Sequence, residues 1–255
     1  MRLRVIAQGT VPKSGESGES NADRVYVGNS LVGIADGVSQ SYQPGLWAEK
    51  LLATIDEQCQ NIRDGETFEN TLMGKSSSSP IEKAVETSWY GKRLEARGGQ
   101  STVLWCRDGL TKRFVLWNRT QRTLRLSAVG DCQAFVISRG GGFVSGWPFG
   151  KGVEYPAANG AVSEFAPHIR GDFQTINLPI PNYCQVLIVT DALGRYLHSR
   201  LTLENGWGVN GFLSTIFPLA SSSRGDVSDA FAIWVAKERK DQLADDDTTF
   251  VLLTP

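Results

Sequence analysis

The sequence predicts an α+β fold, in which a sheet or two stacked sheets is covered by helices, and three observations predict it. Between Ser101 and Ser138 four short apolar or β-branched runs follow one another with turn-like spacers, the pattern of an antiparallel meander. Segments with apolar residues at helical spacing stand on either side of this block. Finally, three apolar runs begin or end at aspartate: Leu31 to Ala35 before Asp36-Gly37, Val186 to Val189 before Thr190-Asp191, and Thr249 to Leu253 directly after Asp245, Asp246 and Asp247.

Taken in order, Arg2 to Gln8 alternates basic and apolar residues as a half-exposed strand does, and Gly9 to Ser20 reads as a polar loop. Asn21 and Asp23 stand just ahead of a short strand, Val25 to Val27. The Asn29-Ser30 step turns the chain into the strand that ends at Asp36, which sets Asp23 beside Asp36. Gly45 to Ile62 is helical, with Leu46, Leu51, Leu52 and Ile55 as its apolar side. Arg63 to Pro80 contains GKSSSSP and reads as a mobile surface loop. A second helix is predicted over Ile81 to Arg97, ended by Gly98-Gly99.

The meander strands are Ser101 to Cys106, Arg113 to Trp117, Thr123 to Val129 and Ala134 to Ser138, and Gly130-Asp131-Cys132 puts a further carboxylate at a strand edge. Arg139 to Arg170, rich in glycine and proline, reads as an irregular excursion that can overhang a site. Short helices follow at Leu193 to Leu201, Trp207 to Phe217 and Asp226 to Ala236.

Composition removes several classes of function. At 255 residues and 41% hydrophobic content, the chain suits one domain over residues 1–255. Lysine and arginine (26) balance aspartate and glutamate (27), so no overall field draws nucleic acid or an anionic membrane. No stretch approaches the ~20 apolar residues of a membrane span, and the expectation is a soluble, cytoplasmic protein. Cys59, Cys106, Cys132 and Cys184 lack paired spacing, and the two histidines, His168 and His198, accompany no nucleophile motif. Imidazole-ligated zinc and a serine–histidine–aspartate triad are therefore disfavoured, and any catalysis falls to oxygen ligands. Aspartates at strand ends suit that task, because the sheet fixes their backbone and Mg²⁺ or Mn²⁺ prefers hard oxygen donors.

The order NADR, ADG, GGQST, GDC, TDAL and DDDTTFVLL resembles the ordered motifs of the metal-dependent protein phosphatases of type 2C, over roughly residues 16–254 and most closely in compact bacterial members. The resemblance implies an αββα sandwich of two stacked antiparallel sheets flanked by helices. It also implies a phosphatase that hydrolyses phosphoserine and phosphothreonine through a metal-bridging water, with two Mg²⁺ or Mn²⁺ ions and a third at a weaker site. By motif, Asp36 bridges two metals, the Gly37 carbonyl serves the second, and Asp191 and Asp246 complete the first, making Asp36, Asp191 and Asp246 the catalytic set. Asp131 corresponds to a ligand of the third metal, and Asp23 supports the cluster or reaches a metal through water. The implied partner is a phosphorylated protein, a kinase or a kinase's target, met by a monomer.

Three positions depart from the family. Ala22 stands where a glutamate or glutamine helps hold the second metal, Gly18 where the animal enzymes place a phosphate-binding arginine, and Val38 where they place a histidine. The competing reading, from another class, is a catalytically impaired relative that binds a phosphoprotein and signals without hydrolysis.

Overall fold

Period-two alternation along the strands divides their side chains between a shared inner core and two outer faces. The computed structural model describes residues 3–18, 20–28, 31–76, 100–108, 112–114, 119–148, 160–163, 169–170, 173–181, 183–203, 211–215 and 227–254. Its elements are β1 (Arg4–Val11), β2 (Arg24–Val27), β3 (Val32–Gly37), α1 (Pro44–Gln58), α2 (Gly65–Ser76), β4 (Gln100–Asp108), β5 (Lys112–Phe114), β6 (Arg119–Val129), β7 (Gln133–Ser138), β8 (Phe143–Trp147), β9 (Ala161–Ser163), β10 (Ile169–Arg170), β11 (Gln174–Ile180), β12 (Cys184–Val189), α3 (Asp191–Leu203), α4 (Ser228–Glu238) and β13 (Thr248–Thr254). Residues 211–215 form one further helical turn.

Five strands form one sheet in the order β1-β13-β12-β7-β8. The other sheet has eight, with β2, β3 and β4 side by side; the far edge of β4 is shared by β6 and β9, and β11 and β5 pair with β6. All pairings are antiparallel. The inner core takes alternate residues of both sheets: Ile34, Leu104, Leu126 and Ala128 from the larger, Val136, Val186, Ile188, Val251 and Leu253 from the smaller. The intervening residues of the smaller sheet, Phe135, Leu187, Val189, Phe250 and Leu252, pack with Leu193, Leu197, Phe231 and Val235 of α3 and α4. Those of the larger, Ala35, Val103, Trp105 and Val129, pack with Trp47, Leu51, Ile55 and Phe68 of α1 and α2. The layers therefore run helix, sheet, sheet, helix, as the motif resemblance implies.

Three sequence expectations are corrected. Arg63 to Pro80 is not a loop throughout, because α2 occupies most of it, started by Asp64 Oδ1 accepting the Thr67 N–H (2.9 Å) and anchored by fully buried Phe68. The loop expected from Gly9 begins only after Val11: Gly9 is opposite Phe250 in β1, and a Cβ there would come within 2.8 Å of the Phe231 and Phe250 rings. The Arg139 to Arg170 excursion supplies strands to both sheets, β8 to the smaller and β9 and β10 to the larger, with Trp147 packed against the inner core. The predicted helix at Ile81 to Arg97, the Asn29-Ser30 turn, Trp117, His168 and Trp207 lie outside the described residues. All four cysteines are buried and free, and among the described residues no helix is long and apolar enough to cross a membrane.

Candidate metal centre

Each acidic residue singled out by sequence stands beside the start or the end of a strand, and the registers bring Asp23, Asp36, Asp131 and Asp191 to one end of the two sheets. Asp36 is the last residue but one of β3, opposite Thr102, and the Ser101 Oγ lies 2.8 Å from the Asp36 carbonyl. Gly37 is followed closely by α1: a Cβ on it would lie 2.7 Å from the Pro44 Cβ and 2.8 Å from the Pro44 carbonyl group, so the helix starts this near only above a glycine. Asp23 precedes β2, and the pairing of Arg24 with Ala35 places it alongside Asp36. Asp131 lies in the turn through which the chain leaves β6 in the larger sheet and enters β7 in the smaller. That turn requires Gly130, at φ 96° and too close to Thr102 for a side chain. Asp191 follows β12 as the first residue of α3.

Hydrogen bonds tie the two sheets together here. Thr190 Oγ1–H donates to Asp23 Oδ2 (2.9 Å), and Thr190 Oγ1 in turn accepts the Thr249 N–H (3.0 Å). The Arg24 guanidinium donates to the carbonyls of Asn21 (2.6 Å) and Asp23 (2.7 Å), so it holds the backbone of this segment.

Burial and like charge dominate the electrostatics. Burial, then the charges of Asp23, Asp191 and Asp131, and then a hydrogen bond with Asp191, hold the Asp36 carboxyl well above the usual carboxylate range. Asp23, 2% exposed, is pushed up to about 8, chiefly by burial; bonds from Thr190 and Thr249 oppose the shift, and Asp247 and Asp191 add to it. Asp131 is raised by burial and by Asp191, against the pull of Arg195. Arg195 was not singled out by sequence. Its Nη2 lies 3.1 Å from Asp131 Oδ2 and 3.3 Å from Asp191 Oδ2.

Asp23, Asp36, Asp131 and Asp191 are thus brought together. Asp246 is placed differently: its Oδ1 accepts the Asp247 N–H (2.9 Å), and among the described residues no hydrogen bond or ion pair joins its carboxylate to the other four. Asp247, which the motif resemblance passes over in favour of Asp246, is buried and accepts the N–H groups of Lys13 (2.9 Å) and Ala22 (2.6 Å). The two side chains part at the bend that precedes β13, where the Asp246 carboxylate caps the next backbone N–H and the Asp247 carboxylate is the more buried of the pair. Ala22 meets this centre through its backbone.

The residues present fit a hard divalent cation. All side-chain donors are carboxylate oxygens, their convergence under burial is unfavourable without positive charge, and Asp23 Oδ1 is buried with no hydrogen-bond partner among the described residues. As they stand, no three acidic, imidazole or thiol groups among the described residues are arranged around one point as ligands. A cavity of about 660 Å³ opens beside Asp23, lined also by Gln8, Thr10, Gly18, Asn21 and Arg24.

No protein-family model matches the sequence, and no curated protein matches it. Solved structures match it over its whole length. The photosystem II phosphatase PBCP superposes with a TM-score of 0.55 at 15% identity, covering 100% of this chain and 99% of its own. The serine/threonine phosphatase Stp1 of Staphylococcus aureus superposes with 0.52 at 10% identity, covering 100% and 96%. The catalytic domain of the serine/threonine protein phosphatase PstP, in complex with two manganese ions, superposes with 0.50 at 13% identity, covering 99% and 97%. The chain has the phosphatase 2C fold. Within the phosphatase 2C fold, the convergent strand ends lie between the two helical layers, where both sheets deliver side chains to one place.

Proposed function

We propose that this chain is a Mg²⁺- or Mn²⁺-dependent phosphatase that hydrolyses phosphoserine and phosphothreonine in proteins, acting in the cytoplasm as a monomer on a kinase or a kinase's target. The observation that carries the reading is the meeting of Asp23, Asp36, Asp131 and Asp191 at one end of both sheets. The manganese ions of the PstP structure, and the phosphatase names of the other neighbours, support it by analogy of fold.

Asp36, the Gly37 carbonyl and Asp191 would hold the cations, with Asp23 and Asp131 beside them, and Asp246 is the further ligand that the motif resemblance implies. When bound, two divalent cations neutralise phosphoryl oxygens and acidify water. The chain's own residues supply the frame: Thr190 orients Asp23, Ser101 sits on the Asp36 carbonyl, and Asp247 pins the Lys13 and Ala22 backbones to the segment ahead of β13. Cys132, the thiol nearest the carboxylates, does not compete as a nucleophile. Cys132 is fully buried, and burial, reinforced by Asp36, holds its thiol well above the ordinary range and therefore protonated.

The test is hydrolysis of a phosphoserine peptide and of para-nitrophenyl phosphate, with Mn²⁺ and with a chelator. Activity should require the metal, and Asp36→Asn should lower it by about 10²–10³-fold, the usual loss when one electrostatic group of a site is removed. A rate indifferent to metal and to Asp36→Asn would refute the proposal. The Asp246 carboxylate, lying outside the bonded group, favours the second reading of a phosphoprotein-binding module. Phosphopeptide binding without turnover under every metal would select it.

A further inference from the structure

We infer that Arg195 is a built-in counter-ion that occupies the edge between Asp131 and Asp191, so that the centre takes one cation fewer than its carboxylates alone would hold. The inference rests on the metal-binding reading above and concerns how many ions that site admits.

Arg195 lies one helical turn beyond Asp191, and side chains of a helix lean back toward its N-terminus, so α3 delivers the guanidinium to the aspartate that starts it. One nitrogen, Nη2, serves both oxygens, at 3.1 Å from Asp131 and 3.3 Å from Asp191. The two carboxylates come from different elements, the β6–β7 turn and the α3 start, so the contact is a bridge across the centre. Asp131 is deeply buried, its side chain 3% exposed, whereas that of Arg195 is 43% exposed and reaches inward from the surface.

A guanidinium suits this place. It is charged at every working pH, its N–H groups lie in a rigid plane matched to carboxylates, and it is more weakly hydrated than an ammonium. A divalent ion coordinated by both Asp131 and Asp191 would stand within a few ångströms of that fixed charge and would repel it. Once the guanidinium is removed, the two carboxylates, one of them buried, lose the positive charge that spans them, and a cation gains in favour at the place it held.

The experiment is Mn²⁺ binding to the whole chain, counted by isothermal titration calorimetry and by electron paramagnetic resonance of free Mn²⁺, for the unaltered protein and for Arg195→Ala, Arg195→Gln and Arg195→Lys. The two neutral variants should each bind one more equivalent than the unaltered protein, and Arg195→Lys should keep the unaltered count. Circular dichroism checks the fold of each, and the longer glutamine covers the case in which alanine disturbs packing. Neutral variants that bind the unaltered count or fewer, or a lysine variant that also gains an ion, overturn the role of Arg195 and leave the metal reading intact. Absence of Mn²⁺ binding in all four proteins overturns both.

Discussion

Asp23 has its acidity set almost wholly by its surroundings. In the unfolded chain its carboxyl titrates near 3.8, and in the fold burial pushes it up to about 8. The folded protein therefore holds a proton that the unfolded chain has already released over the interval between those values. The associated stability is fully present below pH about 4 and is lost as pH rises toward about 8. Asp36 and Asp131 shift in the same direction, while Asp64 and Asp245, lowered by backbone hydrogen bonds, work oppositely from exposed positions where solvent screens them. Scanning calorimetry in chelator should accordingly show the melting temperature falling from pH 5 to pH 8, with a shallower fall in Asp23→Asn. A flat or rising profile would contradict the burial assigned to this carboxyl.

At the scale of elements, legibility depended on whether the signal was local. β3 and β12 stand out in the sequence because strands with layers on both faces read as unbroken apolar runs, and both stop at an aspartate. α2 was hidden by the serines beside it and by few apolar residues, yet Phe68 and Leu72, one turn apart, both face the core. Phe68 meets Trp105 at 5.4 Å and Phe173 at 5.5 Å between ring centroids, partners that lie far away in sequence. Phe68→Ala should cost about 3–5 kcal/mol in urea unfolding and leave Mn²⁺ affinity unchanged, since α2 packs on the outer face of its sheet. A variant of unaltered stability would remove α2 from the packed layer. The extension of β1 through Gly9 was hidden for a related reason: a glycine that reads as a loop is a strand residue on which two phenyl rings rest.

For the molecule as a whole, the centre draws Asp36 from one sheet and Asp191 from the start of the helix that follows the other, so bound cations would fasten the two halves of the sandwich. Saturating Mn²⁺, at about 100 times its dissociation constant, should stabilise the protein by about 2.7 kcal/mol. That corresponds to a rise of roughly 5–10 °C in a single calorimetric transition, reversed by chelator. No shift with metal would disconnect the carboxylates from cation binding. The sequence by itself determined the α+β class, most of the strands and the aspartates that punctuate them, because alternation, helical spacing and strand ends are written within a few consecutive residues, whereas the pair of stacked sheets was implied only by the order of the motifs. Only the tertiary structure decided which oxygens meet: that Asp247 rather than Asp246 turns in to the Lys13 and Ala22 backbones, and that Arg195 stands between Asp131 and Asp191. Those choices are made where segments distant in the chain pack at one point, and no local pattern of residues encodes the direction in which each side chain then faces.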